Sequence, residues 1–258
     1  MDDFISYYWA PETLEDTSLN QAFQKLIDSE STTKEKLFAF ETLIENDSVI
    51  AKSIAFDHFF YNESITRHGK ENPFLYYKDK LIENARNILK GQSITSITPT
   101  GEQIFGANYA SALGILVHFS EEKDIELIRP ILLNSSDIAV LFAGFMAVGR
   151  CLSTIKKYDL QIITSITRII HEDQWPEQLK VMAINALRDY ETPEVEEFLV
   201  EVSKTCTLPI SAYAAKILGS RNLARYRDLL QELVDSWPED ARYPASEIRT
   251  LLESDSTD

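Results

Sequence analysis

The feature that most constrains this chain is a stripe of small residues that recurs at a near-constant interval. Ala107-Asn108-Tyr109-Ala110-Ser111-Ala112-Leu113-Gly114 aligns with Leu141-Phe142-Ala143-Gly144-Phe145-Met146-Ala147-Val148-Gly149. Val181-Met182-Ala183-Ile184-Asn185-Ala186-Leu187-Arg188 and Ser211-Ala212-Tyr213-Ala214-Ala215-Lys216-Ile217-Leu218-Gly219 follow. With Gly114, Gly149, Arg188 and Gly219 as registers, the steps are 35, 39 and 31 residues. A more acidic amphipathic segment comes after each stripe: Asp124–Leu133, Asp159–Ile170, Glu194–Val202 and Leu223–Val234. Ala at four-residue spacing lets a neighbouring helix approach closely, and the adjoining Leu and Ile fill the groove. Gly near the end of a stripe suits a turn that needs positive φ. A unit of this length cannot bury its own apolar face, so successive units must stack on one another.

Helix-period patterns run through most of the rest. Leu19, Phe23, Leu26 and Ile27 share one face, as do Leu37, Phe40, Leu43 and Ile44 after a capping-box spacing at Thr32 and Glu35. A third pattern covers Val49–Tyr61 and breaks at Asn62–Asn72; Pro73 opens the next, which reaches about Leu89. Gly91–Pro99 is a second break, after which helices are predicted near 101–118, 121–133, 137–152, 159–171, 176–189, 193–205, 209–219, 222–235 and 244–253. Thr100, Ser120 and Thr192 stand at cap positions. Eight Gly and nine Pro in 258 residues are too few for a turn-rich β fold. The predicted class is all-α, a solenoid of antiparallel helix pairs with no significant sheet. One domain is expected over 1–258: an irregular helical part at 1–95 with a loop at 62–72, regular repeats at 96–236, and a capping helix with an acidic tail at 237–258.

This pattern resembles HEAT-type α-solenoids over about 100–236. The stretch Thr66-Arg67-His68-Gly69-Lys70-Glu71-Asn72-Pro73-Phe74 also resembles a segment of uncharacterised bacterial HEAT-like proteins. The resemblance implies a scaffold that grips another macromolecule on an extended surface, and it brings no activity with it.

Forty-one acids against twenty-five bases give a formal charge of −16, and the first fifty residues alone hold 11 acids and 3 bases. A nucleic-acid groove needs the opposite balance. A basic protein partner is therefore expected, with no nucleic acid and no membrane, on a surface whose acidity also serves solubility. The start Met1-Asp2-Asp3 lacks the basic and apolar regions of a secretory signal, so a cytoplasmic location is expected. The aromatic run Phe4-Ile5-Ser6-Tyr7-Tyr8-Trp9 is expected to cap one end of the stack, with a partner-docking arm as the alternative. Cys151 and Cys206 lie outside any Cys/His cluster and read as buried small hydrophobes.

The residues that stand out chemically are Asp57, His58, Tyr61, Arg67, His68 and Asn72, in a stretch holding two of the four histidines. Their ordinary reading is a hydrogen-bonded knot in which Arg67 pairs with Asp57 or Glu63 and orders the loop. Asp57 and His58 are adjacent on a helix and point about 100° apart, and no HExxH or His-x-x-x-His spacing occurs, so no metal is expected. An acid–base pair of Asp57 and His58, with Tyr61 one turn on, lacks a nucleophile or second acid at a known spacing. No catalytic residue and no cofactor are expected, and the six residues are candidates for partner contact. Gly101 and Gly106 have P-loop spacing without the Lys-Ser/Thr that follows it, and His171-Glu172 lacks a second zinc histidine. The favoured function is a non-enzymatic protein-binding scaffold, in its sharper form an immunity protein that neutralises a basic bacterial toxin. The competitors are an enzyme built on Asp57, His58 and Arg67, and an acidic DNA mimic.

Overall fold

The computed structural model describes residues 14, 16–66, 72–91, 96–97, 103–104, 107–155 and 157–254. Arg67, His68 and the aromatic run Phe4–Trp9 lie outside them. The protein is all-α. Its α-helices are α1 (Thr17–Ile27), α2 (Thr33–Glu45), α3 (Val49–Thr66), α4 (Lys78–Lys90), α5 (Ala107–Phe119), α6 (Ile125–Asn134) and α7 (Ile138–Leu152). They continue with α8 (Leu160–His171), α9 (Glu177–Asn185), α10 (Pro193–Thr205), α11 (Ile210–Arg221), α12 (Leu223–Ser236) and α13 (Ala245–Ser254). Short 3-10 helices at Pro73–Tyr77 and Glu122–Asp124 lead directly into α4 and α6. Among the described residues the extended structure amounts to one antiparallel ladder, Ser96–Ile97 with Gln103–Ile104.

Capping chemistry sets several starts. The Thr32 hydroxyl accepts from Glu35 N–H while the Glu35 carboxylate accepts from Thr32 N–H, completing the box read from the sequence. Thr192 caps α10 with a single bond, its hydroxyl accepting from Val195 N–H. Two predicted boundaries move. The helix expected from about 101 begins at Ala107, because Ser96–Ile97 and Gln103–Ile104 are extended and paired; the β-branched Ile97 and Ile104 favour that conformation. The break expected from Asn62 starts later, since α3 runs on to Thr66. Asn62, Glu63 and Ser64 carry only small propensity penalties, and the first glycine is Gly69.

The chain divides into two compact units, Met1–Ala147 and Val148–Asp258, with the division falling inside α7. In the first unit α1 packs on α2, α2 on α3, α3 and α4 on α5, and the 3-10 helix Pro73–Tyr77 on both α2 and α4. Its interior includes Phe23, Leu26, Phe40, Leu43, Ile54, Phe56, Phe59 and Phe74, all essentially without solvent contact. Arg86 reaches from α4 to Asp124, whose carboxylate is 1% exposed, through two bonds of 2.7 and 2.9 Å.

In the second unit α8 packs on α9, α9 and α10 on α11, and α11 on α12 and α13. Tyr190 is its buried polar centre: the hydroxyl accepts from Asp159 N–H and donates to the Lys157 carbonyl, both at 2.6 Å. Helix α9 ends at Asn185 rather than near 189. Residues 186–190 tighten into turns with bonds from Leu187 to Ile184 and from Arg188 to Asn185. The Arg221 guanidinium donates to the carbonyls of Leu187, Arg188 and Tyr190, which satisfies that turn from α11.

The stripe glycines do not make turns. Gly114, Gly149 and Gly219 sit inside helices that continue past them. A Cβ at Gly149 would lie 3.1 Å from Ala186 Cα, and one at Gly219 would lie 3.0 Å from Leu230 Cδ1. Their small size is used for close approach of a neighbouring element, which also holds for Gly144 against Leu132. Cys151 is buried and Cys206 half-buried, and neither is in a disulfide.

Candidate functional site

Three helices and a short 3-10 turn line a solvent-open cavity of about 360 Å³ in the first unit. Leu26 and Ile27 come from the end of α1, Ser29 from the turn after it, and Thr33 and Lys36 from the first turns of α2. His58, Tyr61 and Asn62 come from α3, and Pro73 and Phe74 from the 3-10 helix. The apolar run at the end of α1 gives a floor, while the polar N-terminal end of α2 brings hydroxyls and one ammonium to the rim.

His58 belongs to the wall and is 7% exposed. Its ring meets Phe74 edge-on at 5.2 Å, and Phe74 stacks in turn on Phe40 at 4.4 Å. Asn72 fixes this arrangement. Its side-chain oxygen accepts from Phe74 N–H at 3.0 Å, and its amide donates to the Phe59 carbonyl at 3.3 Å, pinning the 3-10 helix to α3. Asn62 donates to the His58 carbonyl one turn back at 2.7 Å. Burial first, and the Lys36 ammonium second, pull the His58 imidazolium down to about 4 from 6.5. The ring is therefore neutral near pH 7, and its Nδ1 is buried without a hydrogen-bond partner.

Of the six residues singled out in the sequence, the cavity gathers His58 and Tyr61. Asn72 is 3% exposed and acts as the N-cap of the 3-10 helix. Asp57 is half-buried and lies outside the cavity lining. Asn72 is not part of the cavity lining, and its side chain is engaged by Phe59 and Phe74. Sequence reading missed Ser29, Thr33 and Lys36, which lie more than twenty positions before His58. No periodic signal links residues across two helices, so only the packing of α1, α2 and α3 brings them together.

His58 is poorly suited to accept a proton at neutral pH. A neutral imidazole that protonates only near pH 4 is a weak base at neutral pH. Among the described residues no group of three His, Cys, Asp or Glu is placed to share a metal ion. No helix among them is long and apolar enough to cross a membrane. No family model, curated protein or solved structure matches this chain.

Proposed function

We propose that this chain is a non-enzymatic binding protein whose partner is a basic protein, docked on the aromatic and acidic face of α2. The observation that carries this reading is a pair of exposed aromatics set among carboxylates. Phe38 is 72% exposed and Tyr76 87% exposed. Phe38, Glu41 and Glu45 recur at i, i+3 and i+7 on one side of α2. Tyr77 hydrogen-bonds Glu41, and Tyr76 meets Tyr77 edge-on at 5.2 Å. Large exposed aromatics give an interface its strongest contacts when a partner dries them. Neighbouring carboxylates, in a chain of net charge −16, steer a cationic surface toward them.

The frame we infer is a stack of helix pairs of HEAT type. Contacts between consecutive helices, and between helices one apart such as α9 with α11 and α11 with α13, support it within the second unit. The finer reading is an immunity protein that neutralises a cationic toxin.

The test is capture from native lysate with the intact chain and with a Phe38→Ala/Tyr76→Ala variant, followed by reconstitution of the captured protein in pure form. The expected partner is basic, binds at least about tenfold more weakly to the variant, and weakens further as salt rises. Capture of nothing, or of a protein that binds both forms equally, would sink the reading. Relief of the partner's toxicity on co-expression would establish the immunity form, and unrelieved toxicity would remove it.

A further inference from the structure

We propose that the cavity walled by His58 and Phe74 binds an organic monocarboxylate with an apolar body, its acid end held by Lys36. Its volume, about 360 Å³, lies within the range of small-molecule sites. The lining has two chemistries. Leu26, Ile27, Pro73 and Phe74 offer an apolar bed for a ring or a branched chain, while Ser29, Thr33 and Tyr61 offer hydroxyls. Lys36 is the one charged side chain among the described lining residues, so the cavity is cationic in a chain with sixteen excess acids.

Lys36 makes no ion pair among the described residues, whereas its neighbour Glu35 is engaged by Thr32 and Lys25. Its charge acts on Asp28, whose carboxylate is already held by Glu30 N–H and the Ser31 hydroxyl. Thr33 and Lys36 also stand in the first turns of α2, where the aligned peptide dipoles favour an anion. One ammonium with hydroxyls matches a single negative charge. A dianionic phosphate would need a second cation, which the described lining lacks. His58 stays uncharged beside Lys36, so the wall adds no second charge to the site.

This site is separate from the docking face. Lys36 and Phe38 are two residues apart, about 200° around α2, so the cavity and the aromatic face lie on opposite sides of that helix. Failure of one proposal therefore leaves the other standing.

The carboxylate could belong to a free metabolite-sized acid or to the C-terminus of a peptide, and the experiment separates the two. Phenylacetate, phenylacetamide, and N-acetyl-Gly-Phe as free acid and as amide are titrated into the intact chain by calorimetry and ligand-observed NMR. Phenylacetate is expected to bind at least about tenfold more tightly than phenylacetamide, and Lys36→Met to remove that preference without changing the melting temperature. Tighter binding of the peptide acid than of phenylacetate assigns a chain terminus, and the reverse order assigns a free acid. Equal binding of acid and amide by the wild type, no binding of either acid at about ten millimolar, or an unchanged preference in Lys36→Met overturns the proposal.

Discussion

His58 couples the interior of the first unit to pH. Folded, it protonates near 4; unfolded, near 6.5. Between those values the unfolded chain binds more proton, so stability is full above 6.5 and falls as pH drops toward 4. Lys36 faces it from α2 and adds to the penalty on the charged ring, while Phe74 meets it at a steep angle and brings no charge. The span corresponds to about 3 kcal/mol. His58→Phe is expected to flatten that loss in urea melts from pH 7 to 4, and an NMR titration of the wild-type ring should find it neutral down to about pH 5. An imidazole titrating near 6.5 in the folded protein would refute the assignment. The second prediction concerns Asp124, whose carboxylate is nearly inaccessible and doubly bonded to Arg86. Asp124→Ala leaves a guanidinium that is 19% exposed without its main partner. The loss should be about 3–5 kcal/mol in denaturant melts, well above the roughly 1 kcal/mol or less of an exposed pair such as Lys25–Glu35. A cost like that of the exposed pair would mean that water reaches and satisfies Arg86. Neither residue was marked by its neighbours in sequence: Asp124 looks like any acid at a helix start, and Arg86 like any base on a helix face.

At the scale of elements, the stripe predicted where helices come close, and the glycines within it differ in what they face. Gly149 approaches backbone: a Cβ there would stand 3.1 Å from Ala186 Cα and 3.3 Å from its carbonyl oxygen. Backbone cannot swing aside, so Gly149→Val is expected to destabilise by about 1–3 kcal/mol. Gly114 faces the Phe60 ring with 3.6 Å of room. There Ala replaces a poor helix former without a clash, so Gly114→Ala should be neutral or stabilising by up to about 1 kcal/mol. Thermal melts of the two single variants check the contrast, and equal effects would show that the stripe reflects composition rather than approach. Apart from the start of α6 and the end of α9, the helices from α6 onward were legible to within two residues, because cap residues and apolar period agree there: Thr192 with α10, Asp159 with α8. The start of α5 was not, because Thr100 and Gln103 imitate a cap ahead of a segment that pairs as a strand instead. The end of α9 was misread because the carbonyls freed at Leu187, Arg188 and Tyr190 are satisfied by Arg221, more than thirty residues away.

Over the whole molecule the dominant quantity is charge. A chain of net charge −16 near neutrality repels itself, and the ion pairs on its surface, such as Lys80–Glu45 and Lys216–Glu247, are solvent-exposed and individually weak. Raising NaCl from about 20 to about 500 mM shortens the screening length from roughly 20 to roughly 4 Å. That range removes most of the repulsion between separate acids while leaving the nearly enclosed Arg86–Asp124 contact largely intact. The isolated chain should therefore gain about 1 kcal/mol, or roughly 2–4 °C at the melting midpoint. Sodium chloride is the right salt, because sulfate would stabilise by exclusion from the surface whatever the charge. The same gradient should weaken the complex with a basic partner, so free and bound protein respond with opposite sign. It should also leave the His58 loss between pH 6.5 and 4 nearly unchanged, since that loss comes mainly from burial. A melting midpoint that falls with salt would place the balance in the surface ion pairs instead. It would also remove the argument that the excess of acids is held at a cost to stability, a cost that a cationic partner would relieve on docking.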